Sequence, residues 1–284
     1  MLELRVNSPR ILLCDAVKLS GRLIKLLIVA AIVIAIGVAG RIGYQNLFIE
    51  NQDFALKEMS LETGSGSEPR FLTRARIVEM TSIEESGSIF AFDVDEVEGQ
   101  LLALPEIASA RVDRRLPGTL KIKITERIPV AWLACPSRGI EERNISNGLL
   151  VDKFGIAFPC ATARLANYAA NLPVVFAGDL PDGAIVEGQK INHEGLKSAL
   201  EFAIKADTIL DGSDLPDWVM VKDEITLEMR TVGGTRCIVS YFEPDSQLVR
   251  LKNLSMYARD SGRQLATINL IPKRYVPVTY LTSN

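Results

Sequence analysis

Residues 108–126 read ASARVDRRLPGTLKIKITE, and two alternating runs about one turn decide the kind of domain. Ala108, Ala110 and Val112 alternate with polar residues, as do Leu120, Ile122 and Ile124 with Lys121, Lys123 and Thr125. Period-two alternation belongs to a strand with one face on a core and one in water. Leu116-Pro117-Gly118-Thr119 between them is turn chemistry. Upstream, Asp93 with Glu96 forms a capping-box pattern that starts a helix through Val94, Val97, Leu101 and Leu104, stopped by Pro105. Before it, Ile89-Phe90-Ala91-Phe92 follows a turn at Glu84-Glu85-Ser86-Gly87, and Thr73 caps a short helix over Arg74–Met80. The spacing of Phe54, Leu56, Met59 and Leu61 predicts a first strand over Asn51–Thr63 with one bulge, closed by a turn at Gly64-Ser65-Gly66-Ser67. The resulting order is β-α-α-β-β, a three-stranded sheet with helices on one face.

Further upstream lies Leu26–Gly40, a block without a charge or an amide. Extended to Leu23–Tyr44 as a helix it is about 33 Å long, enough to cross the hydrocarbon core of a bilayer. Lys25 and Arg41 then snorkel to the headgroups, and Tyr44 and Phe48 sit at the interface. Residues 1–25 carry five basic against two acidic side chains, which places the tail 1–22 in the cytoplasm and the rest outside it. An uncleaved anchor is the reading adopted. A cleaved signal peptide and a buried core helix of a soluble domain are the two rivals.

The remaining chain is acidic, with 27 basic and 33 acidic side chains, which excludes nucleic acid as a partner. One His and four Cys in 284 residues, 48% of them hydrophobic, argue against a metal enzyme or a Cys–His nucleophile. No G-x-S-x-G, H-E-x-x-H or S-x-x-K frame occurs. The expectation is a protein with no catalytic residue, no cofactor, no metal and no small-molecule substrate. His193 at a helix start reads as a surface or capping residue, and Asp93/Asp95/Glu96/Glu98 as a solvated helix N-terminus. Cys14 falls in the cytoplasm. Cys135, Cys160 and Cys237 fall in an oxidising space. Cys135 and Cys160 flank a predicted hairpin, so a bridge and a set of buried small hydrophobes both stay open.

Phe54-x-Leu56-x-x-Met59-x-Leu61, Leu104-Pro105, Ala110-x-Val112-x-Arg114 and Leu116-Pro117-Gly118-Thr119-Leu120-x-Ile122 resemble the successive elements of a POTRA domain. Glu126-Arg127-Ile128-Pro129-Val130-Ala131 resembles the E-R-x-P-V-A string of the bacterial cell-division family FtsQ/DivIB. Gly148 to Phe158, with a turn at Asp152–Gly155, is similar to that family's G-x-L-V-D-x-x-G-x-x-F hairpin. Leu172-Pro173-Val174-Val175 with Gly178 is similar to its next segment. The resemblance implies an α+β protein with a cytoplasmic tail (1–22), a transmembrane helix (23–44), a POTRA domain (54–126) and a β domain (127–284). It further implies a non-enzymatic divisome scaffold in the inner membrane, enriched at the septum. Its partners would be FtsB/FtsL-like coiled-coil proteins, the FtsW/FtsI-like septal peptidoglycan synthases and membrane lipid. A POTRA-bearing transport or assembly factor and a membrane-anchored periplasmic hydrolase are the alternatives.

In the distal domain, helices are expected over Leu196–Leu210 and Gln247–Ala258, and strands at Trp218–Met220, Ile225–Met229 and Cys237–Tyr241. A C-terminal edge strand accepting a partner strand is the implied binding site. It falls on Ile268, Asn269 and Leu270 with Tyr275, Val276, Val278 and Tyr280, an edge that Pro272 and Pro277 interrupt. Glu126, Arg127, Pro129, Val130, Ala131, Asp152 and Gly155 are expected to be structural.

Overall fold

The computed structural model describes residues 9–64, 66–81, 83 and 87–281, with the side chains of 9–24 left aside. The first eight residues of the expected tail, and the turn residues Ser65 and Glu84–Ser86, lie outside the described residues. The chain forms two compact units.

The first unit holds residues 1–59, 83–93 and 114–120. Its main element is helix α1, Pro9–Tyr44, continued by a π-helical turn over Gln45–Ile49. The apolar span runs over Lys25–Ile49, and none of its residues is buried. Ile36 is 67% exposed and Leu27 69%. No residue of this span is buried among the described residues, the exposure of a lipid-facing helix and not of the core helix of a soluble domain. The π-helical turn after α1 is tied down: Ser88 Oγ donates to the Phe48 carbonyl at 2.7 Å. The Phe48 ring lies 5.9 Å from Phe54 and 5.4 Å from Phe90. Arg114 locks Phe90 from above, its guanidinium over the ring and donating to the carbonyls of Ile89 and Phe92.

This aromatic cluster corrects the expected first strand. Phe54 closes a 3-10 turn over Gln52–Phe54, capped by Asn51, whose side chain accepts from the Asp53 N–H. Strand β1 starts only at Glu58 and ends at Thr63. The bulge inferred from spacing is a change of element, because Phe54 packs on rings and not on a sheet. Gly118 sits in the turn where the expected hairpin bends. A Cβ there would collide with the Ala55 carbonyl.

The elements α2 (Arg74–Thr81), α3 (Val94–Leu102), β2 (Ile107–Arg115) and β3 (Thr119–Glu126) follow in the expected order. The three-stranded sheet runs β1-β3-β2. Thr73 Oγ1 accepts from the Arg76 N–H at the start of α2. Leu120, Ile122 and Ile124 are all buried, as their alternation requires, whereas Ala108 at the start of β2 is exposed.

The second unit, which holds residues 121–284 among others, contains a nine-stranded mixed sheet. Its strands are β4 (Pro129–Ala134), β5 (Leu149–Asp152), β6 (Ala157–Pro159), β7 (Val174–Phe176), β8 (Pro216–Val221), β9 (Thr226–Thr231), β10 (Arg236–Ser240), β11 (Leu265–Asn269) and β12 (Val278–Tyr280). They lie in the order β12-β11-β10-β9-β8-β7-β4-β5-β6. Helices α5 (Glu194–Ile209) and α6 (Pro244–Asp260) are the crossovers of the parallel pairs β7/β8 and β10/β11. Along α5, Leu196, Ala199, Leu200, Ala203 and Ala206 are buried at helical spacing against this sheet.

Alternation along β4 and the residue after it sends Leu133 and Cys135 to one core and Trp132 and Ala134 to the other. The second core contains Cys160 and short helix α4 (Ala163–Ala169), whose Ala169 carbonyl accepts from Trp132 Nε1 at 2.7 Å. Cys135 and Cys160 thus belong to different cores, and both are free thiols, as is Cys237. Burial pushes the Cys160 and Cys237 thiols up, so neither is a thiolate at neutral pH. Iodoacetamide is expected to leave Cys135, Cys160 and Cys237 unlabelled in the folded chain and to label all three after unfolding without reductant. A pair that labels only after reduction would mean a disulfide instead.

Candidate protein-interaction edge

A sheet has two edges, and each is either covered or a template for another strand. At the β6 edge the chain covers itself. The Gly188 N–H donates to the Ala157 carbonyl at 2.8 Å, the Ala157 N–H to Gln189, and Ile156 bridges Lys190. At the other edge, β12 has β11 as its one neighbour in the sheet order.

The predicted site residues divide accordingly. Ile268 and Asn269 lie on β11 between two strands: they register with Cys237 and Ile238 of β10, and Ile268 also with Val278. Leu270 is fully buried and donates its N–H to the Ile238 carbonyl. These three residues are interior, which corrects their placement on the edge. Pro272 and Pro277 interrupt nothing, since both lie in the connection before β12. The Pro272 carbonyl accepts from Arg250, and the Pro277 carbonyl from the Asn269 N–H at 3.0 Å. Val278, Thr279 and Tyr280 are the edge itself.

Backbone direction on β12 follows from its bonds to β11. The Pro277 carbonyl and the Leu281 N–H both point inward, the latter donating to Gln264 at 2.8 Å. Alternation then turns the N–H and C=O of Val278 and Tyr280 outward. Val276 and Val278 pack partly on the core. The Tyr280 ring lies beneath the Arg263 guanidinium at 5.3 Å. Thr279 and Arg263 escaped the sequence reading; the alternation Val-Thr-Tyr was the available signal for the first.

Side chains of α6 and its N-cap bond the loop before β12. Arg250 donates to the Leu270 and Pro272 carbonyls, both at 2.7 Å. Lys273 pairs with Glu243 at 2.9 Å, and that hydrogen bond keeps the Glu243 carboxyl below its ordinary range. Next to them Tyr275 is 95% exposed and adopts φ +56°. A left-handed conformation costs a non-glycine residue about 1 kcal/mol or more, and here an aromatic ring is held in water. Tyr275→Gly is expected to raise stability by about 0.5–1 kcal/mol by removing that strain. A denaturant midpoint that falls would contradict it.

The E-R string builds a second constellation, a structural one. The Glu126 carboxylate accepts from three successive N–H groups, those of Arg70, Phe71 and Leu72, at 2.6, 2.8 and 2.6 Å. Arg127 donates to the Pro105 carbonyl at 2.9 Å and to Asp152 Oδ2 at 3.0 Å. The other Asp152 oxygen accepts from the N–H groups of Phe154 and Ile156, closing the turn that Gly155 completes at φ +79°. Pro129 and Ala131 are buried at the start of β4, with Val130 half-buried. The 70–72 segment, with Arg70 and Phe71 packed on Tyr168, was missed by sequence reasoning. Nothing local marks it.

His193 caps α5, its Nδ1 accepting from the Leu196 N–H at 3.2 Å. Among the described residues no group of three or more His, Cys, Asp or Glu is arranged to hold a metal.

The lipid-length helix and the β-α-α-β-β sheet after it define the class: a single-pass membrane protein with a POTRA-type domain. The model of the FtsQ-type POTRA domain matches residues 67–127. The chain is 35% identical over 79 residues to cell division protein FtsQ of Koribacter versatilis (strain Ellin345), which is 28% of this chain and 22% of that protein. It is 29% identical over 102 residues to cell division protein FtsQ of Geotalea daltonii (strain DSM 22248 / JCM 15807 / FRC-32), 36% of this chain and 35% of that one. The chain thus spans about a fifth and about a third of the curated relatives it matches. The matched domain and both relatives support assignment of this chain to the FtsQ/DivIB family.

Proposed function

We propose that this chain is a non-enzymatic scaffold of the cell-division machinery. α1 crosses the inner membrane with its N-terminus in the cytoplasm. A POTRA domain over 54–126 and a β domain over 127–284 stand on the far side, enriched at the septum. The β12 edge receives a strand of a small FtsB/FtsL-like coiled-coil protein, and the assembly helps control FtsW/FtsI-like septal peptidoglycan synthases. The observation that carries this reading is the asymmetry of the nine-stranded sheet: one edge is covered by the chain's own 188–190 segment, and beyond β12 at the other no further strand pairs among the described residues. Each added backbone hydrogen bond is worth about 0.5–1.5 kcal/mol net, so the short edge alone binds weakly. Exposed Tyr275 supplies an aromatic side chain of the kind on which interfaces concentrate their energy. Tyr275→Gly is therefore expected to bind the partner more weakly while folding no worse.

Depletion of the protein should yield filamentous cells, and a fluorescent fusion should gather at midcell. Cells that divide normally without it, with no second copy of the gene, would end the division reading. Capture of an FtsB-like partner by the wild-type chain, but equally by Val278→Asp and Tyr280→Ala chains, would end the edge assignment alone.

A further inference from the structure

Where α6 ends, a cleft of about 370 Å³ opens between the Ser213-Asp214 turn, the β9–β10 turn and residues 262–265. Two polar atoms in its lining have no hydrogen-bond partner: Ser255 Oγ and Asp214 Oδ2, on residues only 5% and 6% exposed. Buried polar groups are nearly always bonded, so two orphans in one cleft call for explanation. Asp214 Oδ2 lies 3.1 Å from an Arg259 nitrogen, an ion pair without hydrogen-bond alignment. The neighbouring Thr235 hydroxyl is already committed to the Leu265 carbonyl. Burial, and then the Asp214 charge, push the Cys237 thiol up, so the nearby thiol adds no charge. Arg263, exposed at the rim, stacks on Tyr280 and pairs with no carboxylate among the described residues.

The cleft therefore has an anionic, hydroxyl-bearing interior and a cationic rim. A simple anion would meet Asp214, and a simple cation would meet two arginines. An ammonium offers three donors and no acceptor, which suits Asp214 Oδ2 and Ser255 Oγ together. A carboxylate suits a guanidinium fork. We propose that this cleft binds an α-ammonium carboxylate group, with the ammonium on Asp214 and Ser255 and the carboxylate on Arg263 and Arg259. The group belongs either to a free amino acid or to the amino-acid end of a larger molecule. The volume lies within the range of small-molecule sites. The proposal does not depend on what pairs with β12.

The test is calorimetric titration of the full chain in lipid nanodiscs. Alanine should bind saturably at one site. N-acetylalanine, which lacks the cation, and ethylamine, which lacks the anion, should bind at least about tenfold more weakly. Asp214→Asn should abolish alanine binding. Ser255→Ala should weaken it severalfold while raising the melting temperature, because it removes an unpartnered buried hydroxyl. Arg263→Gln, a change at an exposed side chain, should weaken alanine and leave ethylamine unaffected. Binding of Nε-acetyl-lysine as tightly as alanine assigns the cleft to the end of a larger molecule; binding of alanine alone assigns it to a free amino acid. No saturation by alanine up to about 10 mM, ethylamine as tight as alanine, or full alanine binding by the Ser255→Ala and Arg263→Gln chains would each overturn the proposal.

Discussion

Arg127→Ala is expected to lower the unfolding free energy by about 3 kcal/mol, the low end of what breaking a buried ion pair costs. The Arg127 side chain is 13% exposed and that of Asp152 5%. The change leaves a buried carboxylate that has lost its cation and a Pro105 carbonyl that has lost its donor. The two N–H groups still donating to Asp152 Oδ1 keep the loss from reaching the upper end of the range. Denaturant unfolding of the full chain measures it. Arg127→Ala with Asp152→Ala should cost less than the two single changes added together, since the pair is lost once. A single-variant loss below about 1 kcal/mol would mean that the pair behaves as a surface bridge.

Tyr280→Pro is the second large effect, and it falls on binding. The Tyr280 N–H faces away from β11, so proline there removes no bond of the native sheet, which is where edge strands tolerate it. It deletes a donor that a pairing strand needs and puts a ring in the path of that strand. A partner carbonyl left unsatisfied costs about 1–3 kcal/mol, which is roughly 5–150-fold in the dissociation constant. Tyr280→Ala serves as the control, because it loses the Arg263 contact but keeps the N–H. The expected order is wild type, then Ala, then Pro, with melting temperatures of the two variants close together. Proline and alanine chains that bind alike would place the energy in the ring and not in strand addition.

The elements that were legible in the sequence are those whose signal is local. Lys121–Thr125 alternates because one face of β3 is wet, and Asp152-Lys153-Phe154-Gly155 turns because glycine accepts positive φ. The 26–40 block is apolar on every side, and none of its residues is buried among the described residues. The Asn51–Thr63 expectation failed for the opposite reason. Phe54 has strand-like spacing to Leu56, but its ring belongs with Phe48 and Phe90, and Phe90 lies 36 residues further on. The same limit explains the carboxylate of Glu126. Its sequence neighbours mark it as part of a motif, whereas its partners at 70–72 are more than 50 residues away.

Which strand is exposed was beyond the sequence altogether. Ile268-Asn269-Leu270 and Val278-Thr279-Tyr280 are both short apolar-polar alternations near the end of the chain. Composition does not tell an interior strand from an edge. That status depends on what pairs on each side: β10 and β12 flank β11, and the 188–190 segment covers β6 far from the C-terminus. The apolar span, most of the element types and the Asp152–Gly155 turn were legible along the chain, since period, charge and glycine act over a few residues. The tertiary structure alone decided the sheet order, the open edge and the cleft at Asp214 and Ser255. Each of these is a property of segments that meet only once the chain has folded.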